Sequence, residues 1–95
     1  MQIQFLAFPG CPNAEPALRA LREAMVAEQI TTAIDEVDVS RDDAPASTRG
    51  WGSPTILIDG VDVGGESAPQ GSSCCRLYRG GYPSVAAIRA RLVDP

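Results

Sequence analysis

The sequence predicts an α/β domain with the element order β-α-β-β-β-α and a mixed four-stranded sheet that carries helices on its faces. Two observations lead to this prediction. After residue 13 the apolar residues change from a strand-like run to helical spacing, as in a strand that leads into an amphipathic helix. Further along, Asp59-Gly60 follows a β-branched run and is one of the strongest hairpin signals. A chain of 95 residues corresponds to one domain, residues 1–95.

The first half of the chain is predicted to form a β-α-β unit. Residues 3–8 are a short apolar run typical of a buried strand. The next helix is expected to begin with Asn13 as its N-cap. Its apolar face recurs at helical spacing: Leu18, Leu21 and Met25. Residues 32–39 read as a second strand, and two strands joined by a helix are expected to be parallel with a right-handed crossover.

The second half is predicted to contain a hairpin and a last helix. Residues 55–58 and 61–63 flank the Asp59-Gly60 turn and should therefore pair antiparallel. Residues 40–50 are polar and are expected to hold one short helix capped by Ser40. The last helix is expected to open at Pro83-Ser84 and to present one apolar face: Val85, Ile88 and Leu92.

The charge balance argues against two classes of partner. Twelve acidic residues against eight basic ones give a net charge of -4, and no basic patch of the kind that binds nucleic acid is visible. No apolar run approaches the roughly 20 residues of a membrane span. The start of the chain has neither the basic segment nor the apolar segment of a signal peptide, so we expect a cytoplasmic location and no contact with nucleic acid or membrane.

The chain has no histidine and three cysteines, Cys11, Cys74 and Cys75. The absence of histidine excludes Cys–His catalysis, Ser–His–Asp catalysis and His-ligated zinc within this chain. Three thiols in a chain of this kind do not suggest a framework of structural disulfides. The thiols are therefore either functional or simply small buried apolar residues, which is a common use of cysteine.

Cys11 lies just ahead of the first predicted helix, and this position favours a reactive thiol. The free backbone N–H groups and the positive end of the helix dipole both favour the thiolate over the thiol. We therefore expect the pKa of Cys11 to lie below the free value of roughly 8.5. Arg19 and Arg22 are one to two turns away and are too distant to carry this argument.

Three local features resemble the thioredoxin fold in its small, glutaredoxin-like form: Cys11-Pro12-Asn13-Ala14, Ser53-Pro54-Thr55 and Val63-Gly64-Gly65. The resemblance covers nearly the whole chain. It implies that Cys11 is the nucleophile and that the Ser53–Pro54 bond is cis and faces it. It further implies that substrate is bound by Pro12, Ser53, Pro54, Gly64 and Gly65.

The chain is also similar to a bacterial group of thioredoxin-like proteins, some of them selenoproteins, with a single Cys or selenocysteine before Pro-Asn. Some of these are labelled organomercurial-lyase-like. This sequence departs from the thioredoxin pattern at Ala14, where the second cysteine of the Cys-x-x-Cys motif would stand. Alanine cannot attack a mixed disulfide, so dithiol chemistry within the turn is excluded.

Residues 64–81 form a long loop rich in glycine and serine that carries Cys74 and Cys75. In the predicted topology the fourth strand ends near Cys11, so this loop is free to fold over the cysteine turn. We infer that the missing resolving thiol has moved from the turn to the loop. Cys75 is the favoured partner, because the Arg76-Leu77-Tyr78 segment behind it could anchor that end of the loop.

Other uses of these thiols remain open. Cys74 and Cys75 could form a vicinal disulfide, which is strained and easily reduced. Together with Cys11 they could instead bind mercury or arsenic, because thiolates select thiophilic metals. Glu66 or Asp62 could then protonate a leaving group in organomercurial cleavage.

A further alternative is a non-catalytic module of thioredoxin fold that binds a partner. The first prediction is a thiol–disulfide redox protein, of the oxidoreductase class if it is an enzyme, that needs no cofactor. Its expected partners are a thiol or disulfide substrate or glutathione.

Overall fold

A computed structural model of the chain describes residues 1–44, 46–48, 51–64 and 83–93. Its elements follow in the order β1 (Ile3–Ala7), α1 (Ala14–Ala27), β2 (Ile34–Asp38), a 3-10 helix (Ala46–Thr48), β3 (Thr55–Ile58), β4 (Val61–Asp62) and α2 (Val85–Val93). The predicted α/β class and the order β-α-β-β-β-α are confirmed. Among the described residues, no helix is long and apolar enough to cross a bilayer.

The four strands form one mixed sheet in the order β2-β1-β3-β4. β1 pairs parallel with β2, and Leu6 lies opposite Val37. On its other side β1 pairs antiparallel with β3, and Leu6 lies opposite Thr55. The carboxyl end of β1 therefore meets the beginning of β3 and the end of β2, as the predicted topology requires.

The predicted hairpin joins β3 to β4 through Asp59 and Gly60. Both residues have positive φ, 51° and 82°, as a two-residue turn with a right-handed twist demands. Asp59 also ties this turn to the start of the chain. Its Oδ1 accepts a hydrogen bond from the Gln2 N–H at 2.7 Å, and its N–H donates to the Gln2 carbonyl oxygen at 2.8 Å.

Helix α1 is amphipathic, and the buried residues of its inner face are Ala17, Ala20, Leu21, Ala24 and Met25. Asn13 occupies the predicted N-cap position, but its side chain makes no capping hydrogen bond. The helix ends in a Schellman motif. Gln29 has a φ of 57°, and the Ile30 N–H donates to the Met25 carbonyl oxygen at 2.8 Å.

Two clusters of buried residues lie on opposite faces of the sheet. The larger cluster joins alternate residues of β1 and β3, such as Phe5 and Ile56, to both helices. The smaller cluster consists of Leu6, Leu57 and Trp51, so the tryptophan packs against the sheet. Helices were predicted on the faces of the sheet, yet both described helices lie on the same face.

Two serines were predicted at the starts of helices, and the structure shows a helix cap at only one of them, Ser84. Ser40 does not cap a helix, because its hydroxyl and its N–H both donate to Asp38 Oδ1. Among the described residues between 40 and 50, the helical segment is the 3-10 turn Ala46–Thr48. Ser84 does cap α2, because its Oγ accepts a hydrogen bond from the Ala87 N–H at 3.1 Å. Ile88 and Leu92 then face the core as predicted.

Candidate thiol site

The turn between β1 and α1 fixes the backbone of Cys11. The Cys11 N–H donates to the Phe8 carbonyl oxygen at 3.3 Å, and the Cys11 carbonyl accepts from the Ala14 N–H at 3.2 Å. Gly10 has a φ of +84°, with open space where a Cβ would stand, so glycine serves the backbone conformation here. Cys11 is thereby held three residues ahead of the first residue of α1.

Cys11 points towards Ser53, which lies two residues before β3. Its Sγ lies 3.6 Å from the carbonyl oxygen of Ser53, within reach of an S–H···O hydrogen bond. The cysteine is only 8 % exposed, and Ser53 is fully buried. Two segments that are 42 residues apart in sequence thus meet at the sulfur.

A second hydrogen bond joins the same two segments. The Phe8 N–H, one residue beyond β1, donates to Ser53 Oγ at 3.3 Å. Ser53 therefore accepts from the cysteine turn with its backbone and from the end of β1 with its side chain. This double attachment fixes the position of Ser53 relative to Cys11.

The Ser53–Pro54 peptide bond is cis, as the sequence predicted from its resemblance. Pro54 is fully buried, and the contact between Cys11 and Ser53 puts this bond beside the cysteine turn. Thr55 continues the chain into β3, and its Oγ1 donates to the Gly52 carbonyl oxygen at 2.6 Å. Within the described part of the chain, no buried side-chain oxygen or nitrogen lacks a hydrogen-bond partner.

The arrangement acts on the sulfur in two opposed ways. The N-terminus of α1 favours a negative charge at its entrance, which is a property of the thiolate. The Ser53 carbonyl accepts a hydrogen bond that only the protonated thiol can donate. The thiolate cannot donate this hydrogen bond, so ionisation of Cys11 would weaken its contact with the Ser53 carbonyl.

The remaining predicted site residues divide into two sets. Pro12 is exposed on the turn beside Cys11, and Gly64 is exposed just after β4. The Val63 N–H still donates to the Ile56 carbonyl oxygen, so the chain at Gly64 has returned to the end of the sheet where β3 begins. Gly65, Cys74 and Cys75 lie outside the described residues, so the structure does not bear on the relocated thiol.

Of the two carboxylates weighed for proton chemistry, the structure describes Asp62. Asp62 is fully buried on β4 and opposite Leu57, three positions along β3 from Pro54. Glu66 lies outside the described residues. In the part of the chain that the structure describes, no three Cys, His, Asp or Glu side chains are grouped to hold a metal ion.

One functional feature of this site was missing from the sequence predictions. Phe8 was counted only as the last residue of the first strand, and Ser53 only as a substrate-binding residue ahead of the proline. The bond between the Phe8 N–H and Ser53 Oγ joins the two segments in addition to the contact of Cys11 Sγ with the Ser53 carbonyl. A serine rather than an apolar residue before Pro54 was the only available signal.

Comparison with known proteins does not add an assignment. The chain matches no protein-family model, and neither the curated proteins nor the solved structures include one that is significantly similar to it.

Proposed function

We propose that this protein is a thiol–disulfide redox protein of thioredoxin-like fold in which Cys11 is the nucleophile. The observation that carries the proposal is the meeting of Cys11 Sγ and the Ser53 carbonyl oxygen, 3.6 Å apart, at the entrance to α1. A reactive cysteine needs an environment that stabilises the thiolate together with a path for an incoming disulfide. The place of Cys11 just ahead of the N-terminus of α1 supports the first requirement, and the exposed Pro12 next to it supports the second.

The proposed reaction has two exchanges. The Cys11 thiolate attacks one sulfur of a disulfide RS–SR′, forms a mixed disulfide with RS, and releases R′S⁻, which then takes up a proton. A second thiol then attacks the Cys11 sulfur and releases RSH, so that the substrate is reduced and the protein is oxidised. Because Ala14 cannot supply that thiol, we propose Cys75 or Cys74 for the second step, with glutathione as the external alternative.

Trapping the mixed disulfide tests the proposal. The reduced protein and its Cys11→Ser, Cys74→Ser, Cys75→Ser and Cys74→Ser/Cys75→Ser variants are incubated with oxidised glutathione and analysed by peptide mass spectrometry without reductant. We expect the Cys11–glutathione adduct to accumulate in the double variant, because no internal thiol remains to displace it. In the wild-type protein we expect it to give way to an internal disulfide of Cys11.

Different results separate the alternatives. An adduct confined to Cys74 or Cys75, with Cys11 unmodified, would contradict the role of Cys11 as nucleophile. An adduct on Cys11 that persists in the wild-type protein would remove the relocated thiol and leave a monothiol that works with glutathione. Tight binding of Hg²⁺ or arsenite that requires all three cysteines would support the soft-metal function instead.

A further inference from the structure

A groove lies between the first half of α1 and the end of β2. It has a volume of about 370 Å³, within the usual range for small-ligand pockets. Its apolar lining includes three half-buried residues, Phe8, Ala14 and Leu18. We call it the β2-side groove, because it lies on the side of β1 that faces β2. Cys11 points towards the β3 side of β1 and does not line the groove.

Three carboxylates join this apolar lining, and they are Glu15, Glu36 and Asp38. No arginine is among the described residues that line the groove. Glu15 and Glu36 each pair with an arginine, Arg19 at 3.2 Å and Arg22 at 4.0 Å, but all four side chains are more than half exposed. Arg41 likewise acts on Asp38 through its charge. Exposed pairs of this kind hold each other weakly, so a ligand cation can displace these arginines from the carboxylates of the rim.

We propose that the β2-side groove binds a small organic cation with an apolar body, such as an aromatic or alkyl ammonium. The apolar walls would bury the body, and the three carboxylates would lie around its positive charge. Phe8 adds an aromatic side chain to the lining, and aromatic rings attract ammonium groups through their electron-rich faces. The proposal is independent of the redox function, because it uses no thiol.

The shape and charge of the groove favour a small molecule over other occupants. Glu36 also lines a second groove that contains Arg22, so the Arg22–Glu36 pair closes the first groove towards the far end of α1. A bounded groove suits a compact ligand better than an extended peptide. A second copy of this chain would bring two acidic rims together, which like-charge repulsion opposes.

Three probes of similar size and different charge test the proposal: benzyltrimethylammonium, benzyl alcohol and benzoate. Each is titrated into the full chain while backbone amide shifts are followed by NMR. We expect the ammonium to bind most tightly and benzoate least, with the shifts concentrated at Phe8, Leu18 and Val37. Binding of the ammonium should be unchanged in Cys11→Ser, which separates this site from the thiol.

Charge variants show whether the rim is responsible. Removing one carboxylate about 6 Å from a cation should weaken binding about threefold, so Glu15→Gln/Glu36→Gln should weaken the ammonium about tenfold. Glu23→Gln is the matched control, because Glu23 is exposed on the same helix and does not line the groove. All these side chains are exposed, so the variants should remain folded.

Several results would overturn the proposal. The first is the absence of ammonium binding at millimolar concentration, and the second is an affinity for benzoate equal to that for the ammonium. A third is an equal loss of binding in Glu23→Gln and in the double variant. Binding of a cationic peptide, with no binding of the small ammonium, would assign the groove to a protein partner instead.

Discussion

At the carboxyl end of β1, the side towards β3 (the β3 side) and the side towards β2 (the β2 side) differ in burial and in charge. Towards β3, Cys11 and Ser53 meet in a buried contact made by hydrogen bonds. Towards β2, the same turn borders an open groove with an acidic rim. The difference follows from strand position, because β3 lies inside the sheet between β1 and β4, whereas β2 is an edge strand of the described sheet. A central strand must satisfy its polar groups internally, and an edge strand can leave charges in water.

The largest expected effect is a loss of overall stability, which would affect the β3 side and the β2 side together. Leu21 is fully buried on the inner face of α1, and the helix that it anchors forms a wall of each side. Leu21→Ala should lower the free energy of unfolding by about 2–5 kcal/mol, measured by urea denaturation. Val26→Ala on the same helix is the control, because Val26 is 78 % exposed. An equal, small loss in both variants would show that α1 is not anchored through this face.

The next prediction affects only the β3 side. Ser53→Ala removes the acceptor of the Phe8 N–H and should lower the free energy of unfolding by about 1 kcal/mol, because a partly buried donor loses its partner. It should also speed the alkylation of Cys11 by iodoacetamide, since the opposing segment is held less firmly. Ser84→Ala is the matched control: it loses the α2 cap at a cost of about 1 kcal/mol. If Ser84→Ala speeds alkylation as much, general loosening rather than Ser53 would be responsible.

Much of the β3 side could be predicted, because its signals are local in sequence. The Asp59-Gly60 pair predicts the turn that joins β3 to β4, because few residue pairs accept positive φ at both positions. The resemblance to the thioredoxin fold pointed to the cis bond and to its place beside Cys11. Ser40 was misread because serine caps helices and binds aspartate in turns equally well.

The β2 side could not be predicted, and the reason is physical. The residues that line the groove come from β1, α1 and β2. In the sequence they fit the usual pattern of a strand or a helix, so nothing marks them as lining a groove. Leu18 was predicted on the buried face of α1, yet it is only half-buried and lines the groove. Whether such a residue is covered depends on how closely a helix and an edge strand approach, which no local pattern encodes.

Phe8 belongs to both sides, so its substitution separates them. Phe8→Ala keeps the backbone N–H that donates to Ser53 Oγ but removes an aromatic wall of the β2-side groove. We expect the affinity for benzyltrimethylammonium to fall about two- to fivefold, the range of an exposed cation–π contact. The rate of Cys11 alkylation should not change. A change in alkylation as large as that in Ser53→Ala would mean that the two sides are coupled through this side chain.

The smallest expected effect is a pH dependence at the end of β2. The hydroxyl and the N–H of Ser40 both donate to Asp38 Oδ1 and lower the pKa of Asp38 from its usual 3.8. A carboxyl whose folded pKa is depressed stabilises the fold fully above its unfolded pKa, and loses that contribution as the pH falls through the folded value. The stability of the wild-type protein relative to Asp38→Asn should therefore be constant at neutral pH and should decline below about pH 4.

Urea denaturation of both proteins across this range measures that difference and cancels the titration of the other carboxyls. Ser40→Ala is the companion variant, since it removes the hydroxyl donor and keeps the N–H. Its pH-dependent difference from Ser40→Ala/Asp38→Asn should be smaller than that between the wild-type protein and Asp38→Asn. A difference between wild type and Asp38→Asn that does not vary with pH would mean that the Ser40 bonds persist whether or not Asp38 is ionised. The pKa of Asp38 would then be the same in the folded and the unfolded protein, and Asp38 would still carry a negative charge on the rim of the β2-side groove at neutral pH.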